Sequence, residues 1–83
     1  MKARVTVTLK SGILDPQGKA IEGALKSLGI AGVVSVRQGK VFDIELDGVA
    51  AADRARAEAL LNEAAEKLLA NMVIENYRVE IGG

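Results

Sequence analysis

The stretch Leu14-Asp15-Pro16-Gln17-Gly18-Lys19-Ala20-Ile21-Glu22-Gly23-Ala24-Leu25 decides how this chain begins to fold. Asp15 before Pro16 marks a helix entrance. An Asp side chain at the N-cap accepts hydrogen bonds from the free N–H groups of the first turn. Proline at the first helical position has no N–H to leave unpaired, and its φ is already helical. Ala20, Ile21, Ala24, Leu25 and Leu28 then recur at helical spacing. Gly29 stops the helix, and Ile30 stands where the chain folds back towards Leu25. The spacing predicts a helix over 16–28.

Outward from this helix, the period changes from 3.6 to 2. Residues 2–10 alternate strictly, with Ala3, Val5, Val7 and Leu9 on one side and Lys2, Arg4, Thr6, Thr8 and Lys10 on the other. That is the pattern of a half-buried strand. Residues 33–37 read as a second strand and 41–47 as a third, with Phe42, Ile44 and Leu46 inward. The short link Gln38-Gly39-Lys40 predicts a hairpin between them. A long helix is expected over about 50–70, with a buried stripe of Ala57, Leu60, Leu61, Ala64 and Leu68, widened by Ala65 and Leu69. Arg54–Glu58 and Glu63–Lys67, each four residues apart, are expected to pair on its exposed side. Asn71 is expected to take a left-handed conformation after the helix end. A fourth strand over about 77–81 turns Tyr77, Val79 and Ile81 inward. The order β-α-β-β-α-β predicts an α+β fold, a ferredoxin-like four-stranded antiparallel sheet with two helices on one face.

The 83 residues fit one domain, 1–83, and chains this short bury only about 60–70% of their unfolded surface. Cysteine, histidine and tryptophan are all missing, so no disulfide or thiol is available to staple the fold or hold a metal. A small core without staples often gains burial by oligomerisation. The start of the chain leads straight into alternation rather than an apolar leader, and no run approaches the length of a membrane helix, so a cytoplasmic protein is expected.

Net charge is zero, but residues 1–40 hold seven basic and two acidic groups, and residues 41–83 hold four and nine. The basic groups are spaced singly through regular structure. They are therefore expected to pair across the fold: Lys2, Arg4 and Lys10 on the first strand against Asp43, Glu45 and Asp47 on the third. Those three carboxylates stand at strand spacing rather than in a chelating loop, which predicts no metal site. Catalysis by serine needs a base beside the nucleophile, and Ser11, Ser27 and Ser35 have no histidine to serve them. Neither glycine-rich phosphate motif is present. The open sheet face offers threonines and charges instead of aromatic platforms, so no nucleic-acid partner is expected.

With Lys67-Leu68-Leu69-Ala70-Asn71-Met72-Val73-Ile74-Glu75, the opening stretch resembles the PurS family, the small subunit of phosphoribosylformylglycinamidine synthase. The likeness continues through the alternating strand 2–10, the Gly29 stop, Val36-Arg37, Gly39-Lys40 and Tyr77. Met72 departs from the proline usual in that family, which loosens the turn into the last strand. The resemblance implies a non-catalytic subunit. It would bridge a synthetase subunit, PurL, and a glutaminase subunit, PurQ, so that ammonia from glutamine reaches formylglycinamide ribonucleotide. It also implies that the chain holds no cofactor, ATP and magnesium being used by the synthetase. It further implies a homodimer or dimer of dimers with strand exchange, and no membrane partner.

Two surfaces are candidates for partner contact. One is the side of the first helix bearing Lys19, Gly23 and Lys26, opposite its apolar stripe. The other is the open sheet face with Arg4, Thr6 and Thr8. An alternative function shares the element order: an ACT-like amino-acid-sensing domain, which would match the glycine-containing approach to the first helix, Ser11-Gly12-Ile13-Leu14-Asp15-Pro16.

Overall fold

The computed structural model describes residues 1–48 and 53–82. The sequence alternation becomes strand β1 (Lys2–Leu9), followed by helix α1 (Pro16–Ser27), strand β2 (Gly39–Glu45), helix α2 (Arg54–Ala64), a π-helical turn (Ala65–Leu69) and strand β3 (Glu75–Gly82). The sheet has three strands in the order β2-β1-β3, and both pairings are antiparallel. The expected four-stranded sheet is a correction, because the second strand read at 33–37 does not form. Residues 33–37 join no ladder, and Gly39 and Lys40 already belong to β2, opposite Thr8 and Val7, so they form no hairpin turn. The physical reason is that the N–H groups of Val36 and Gln38 are taken by side chains of α1 and its cap.

The core forms where β1 meets α2. Ala3, Val5 and Val7 cluster with Leu61, Ala65 and Ala70, all buried, and Tyr77, Val79 and Ile81 of β3 pack against them. From the β2 side of β1, Phe42, Ile44 and Leu46 pack against the same cluster and, like Tyr77, Val79 and Ile81, stay half-buried. Among the described residues, only α2 and its π-helical turn cover the sheet. The expected second covering helix, α1, stands away from it, with Ile21, Leu28 and Ile30 exposed. The molecule is therefore long, 50 × 27 × 15 Å, with a radius of gyration of 16.4 Å. A compact chain of this length would have about 12 Å.

Helix ends follow local rules. Asp53 caps α2 by accepting from the Arg56 N–H at 3.1 Å; the expected residues 50–52 of this helix lie outside the described ones. At the other end, the Ala70 N–H donates to the Ala65 carbonyl five residues back, at 2.8 Å. This wider turn rotates Leu68 out of the expected stripe to 82% exposure, while Leu69 is half-buried. Leu60 is likewise exposed. Asn71 is not left-handed, since among the described residues only glycines have positive φ. Its side chain instead accepts from the Val73 N–H, and its carbonyl accepts from Ile74 and Glu75. Lys10 Nζ donates to the Met72 carbonyl at 2.8 Å rather than pairing with a carboxylate. These bonds hold the turn around Met72. Among the described residues, no helix is long and apolar enough to cross a membrane.

Candidate functional site

Asp15, the buried charged residue among the described ones, is the centre of a polar cluster. The residue is 5% exposed, and both carboxylate oxygens are used. Oδ1 accepts from the Gly18 N–H at 2.9 Å, which is the expected N-cap bond; Oδ2 accepts from the Gln38 N–H at 2.7 Å. One turn and more along the same face, Glu22 Oε2 accepts from the Val36 N–H at 3.1 Å. Lys19 lies 3.6 Å from the other Glu22 oxygen. Gly18 sits between the two carboxylates, and a Cβ there would run into the Val36 carbonyl oxygen. Residues 36–38 therefore run along α1 in the opposite direction, held by backbone-to-carboxylate bonds.

The base of this arm is also tied. The Arg37 guanidinium donates to the carbonyls of Ile13 at 3.0 Å and Lys10 at 3.1 Å. Its far end turns at Gly29, φ +77°, where Ile30 N–H bonds to Leu25 and Gly29 N–H to Lys26. That is the glycine-closed helix end read from the sequence. The carboxyl of Asp15 is held below its ordinary pKa, first by the Gln38 N–H, then by the Gly18 N–H and the nearby Arg37 charge; burial opposes them.

Sequence reasoning found Asp15 as a cap but missed its second oxygen, Glu22 and Arg37. The available signal was spacing: Asp15, Gly18 and Glu22 stand three and four residues apart, on one helix face. Gly18 admits the backbone of residue 36 against the helix.

The expected contact residues fall on two separate surfaces. On α1, Lys19, Gly23 and Lys26 are exposed, and a Cβ at Gly23 would meet nothing within 4 Å. Arg4 and Thr8 are exposed and Thr6 half-buried on the open sheet face, where β1 faces Val41, Asp43 and Glu45 on one side and Asn76, Arg78 and Glu80 on the other. The sequence-read charge pairing is present here in part: Arg4 Nε lies 2.8 Å from Asp43 and Lys2 Nζ 3.9 Å from Glu45. The shallow depression on this face is bounded by Lys2, Arg4, Asp43, Glu45 and Glu80. Lys2 and Arg4 pair across strands with Glu45 and Asp43, while Glu80 pairs with Arg78 of its own strand at 3.2 Å. Glu63–Lys67 pairs as expected at 2.7 Å, whereas Arg54 donates to the Ile81 carbonyl instead of meeting Glu58.

Comparison with known proteins gives one answer. Residues 2–83 match the family PurS, described as phosphoribosylformylglycinamidine (FGAM) synthase. The PurS subunit of Mycobacterium leprae is 46% identical over 78 residues, covering 94% of this chain and 91% of that one. The Bacillus subtilis PurS structure superposes with a TM-score of 0.84 at 41% identity, covering 99% of this chain and 98% of that one. A chain in the structure of PurLQS from Thermotoga maritima superposes at 0.83 with 30% identity, over 95% of this chain and 93% of that one. None of these favours the amino-acid-sensing alternative.

Proposed function

We infer that this chain, which belongs to the PurS family and is a PurS subunit of phosphoribosylformylglycinamidine synthase, acts without chemistry of its own by bridging a PurL-type synthetase and a PurQ-type glutaminase. The observation that carries this reading is the likeness, over nearly the whole chain, to a component of the PurLQS structure. Ammonia released into bulk water dilutes and protonates. Holding the releasing and accepting sites in one assembly raises its effective concentration at the acceptor. A bridge needs shaped surfaces rather than nucleophiles, with ATP and magnesium handled by the synthetase and the whole assembly cytoplasmic. Reconstitution tests this. Glutamine-dependent synthesis should require this chain together with both larger subunits, while synthesis from added ammonia should need it far less. A full glutamine-dependent rate without it overturns the bridging role. Gly23→Leu locates one contact: it leaves the fold intact, and lost assembly would place a partner on the Lys19–Gly23–Lys26 side. Unchanged assembly directs attention to Arg4, Thr6 and Thr8.

The same reading includes self-association as a homodimer, alone or as a dimer of dimers, with the α1 arm exchanged between protomers. Its support is the uncovered apolar surface. Leu14, Ile21, Leu28, Ile30 and Val34 are exposed on the arm, while Phe42, Ile44 and Leu46, packed against the core cluster, remain half-buried with no second helix over them among the described residues. A second copy's arm supplies what the sheet lacks. Sedimentation at low micromolar concentration should show no dominant folded monomer.

A further inference from the structure

We propose that Asp15, Gly18 and Glu22 form a latch that holds residues 33–38 along α1, away from β2 of the same protomer, with one edge covered and the other open to a second copy of this chain. The inference rests on the exchanged dimer proposed above and adds what selects it over a closed monomer.

Three observations carry it. The N–H groups of Val36 and Gln38, two residues apart, both reach carboxylates on α1. A spacing of two is the period of an extended strand, so the backbone groups of Ser35 and Arg37 face the opposite way. Among the described residues, no backbone partner meets them. Next, Gly18 leaves room for the Val36 carbonyl, so the segment lies against the helix backbone itself. Finally, α1 stands off the sheet, and a segment bound along it cannot also lie along β2, whose outer edge carries no strand among the described residues. Arg37 fixes the arm's base by tying it to the carbonyls of Lys10 and Ile13. The latch therefore keeps one set of strand groups satisfied inside the protomer and presents the other set, beside Val34, to a neighbour.

The test measures the dimer dissociation constant of the full chain by sedimentation, with circular dichroism reporting the fold. Asp15→Asn with Glu22→Ala keeps a cap oxygen for Gly18 and removes both acceptors of the returning segment. Gly18→Ala raises helix propensity while pushing a methyl group into the Val36 carbonyl. Each should raise the dissociation constant at least about tenfold, the scale of losing charge-assisted hydrogen bonds, with helix content retained. A constant within about threefold of the parent in Gly18→Ala overturns the latch, and that variant decides alone where the double variant does not fold. A parent chain monomeric at every concentration overturns the exchanged dimer itself, and with it the latch, before any variant is made.

Discussion

The β1–α2 half and the α1 arm are built from similar residues but held by different forces. In the first, Val5, Val7 and Leu61 are at most 1% exposed, and burial of apolar surface does the work. In the arm, Leu28 is 73% and Val34 92% exposed, and order comes from carboxylates meeting backbone N–H groups. Burial is non-directional and stabilises a protomer by itself. Hydrogen bonds to backbone specify a shape yet contribute modestly to stability. The arm is therefore a shaped element whose apolar residues Leu28 and Val34 contribute little burial within the protomer.

The largest effect should come from the buried half. Leu61→Ala removes a fully buried side chain and should cost about 2–5 kcal/mol. Urea unfolding at fixed protein concentration measures it. A loss well under that range would mean that the core of one protomer is not where its stability resides. Leu28→Ser should behave oppositely. In a dissociated protomer it should change stability by less than about 0.5 kcal/mol, while weakening self-association by about tenfold or more. Equal effects of Leu28→Ser on the monomer and on assembly would erase the distinction between the two halves.

How much of this was legible follows the same division. Period 2 in residues 2–10 and the cap Asp15-Pro16 both act locally, and strand, helix and Gly29 stop stand where local chemistry puts them. The charge pattern set the basic side of the first strand against the acidic side of the later one, and Arg4 and Lys2 do meet Asp43 and Glu45 there, while Lys10 does not. Residues 33–37 were misread because their β-rich composition fits a sheet edge, whereas the N–H groups of Val36 and Gln38 go to Glu22 and Asp15, a pairing no periodicity reveals. Glu22 reads as an ordinary helix-surface acid until the returning chain is seen beside it. The partner-contact surfaces are less legible still, since Lys19, Gly23 and Lys26 carry no geometry that distinguishes contact from solvent.

A smaller effect depends on pH. The Asp15 carboxyl is held below its ordinary value of 3.8, so its contribution is fully present above the unfolded pKa and is lost as pH falls through the lower folded value. Acidification below about pH 4 should therefore loosen the arm first. Hydrogen exchange at the Gln38 amide, corrected for its intrinsic rate, should quicken while Val5 and Val7 stay protected. Asp15→Asn should remove that dependence. Simultaneous loss at Gln38 and Val5 would show that arm and sheet open as one unit.

The smallest expected effect tests where the buried half ends. A regular helix returns to the same face after seven residues, which would set Leu68 on the stripe of Leu61 and make Leu68→Ala nearly as costly. The π-helical turn at Ala65–Leu69 inserts one residue, advancing the face by about 100°. Leu69 then takes the inward place, and Leu68 is left 82% exposed. Leu68→Ala should consequently cost less than about 0.5 kcal/mol in urea unfolding, against several for Leu61→Ala. A loss of about 2 kcal/mol or more, on the scale of a core truncation, would mean that the helix keeps its ordinary period in solution and the core reaches one turn further. A small loss instead makes Leu68, with exposed Met72 and Val73 beyond it, a second place where this chain turns apolar side chains outward, this time through backbone geometry rather than through a missing neighbour.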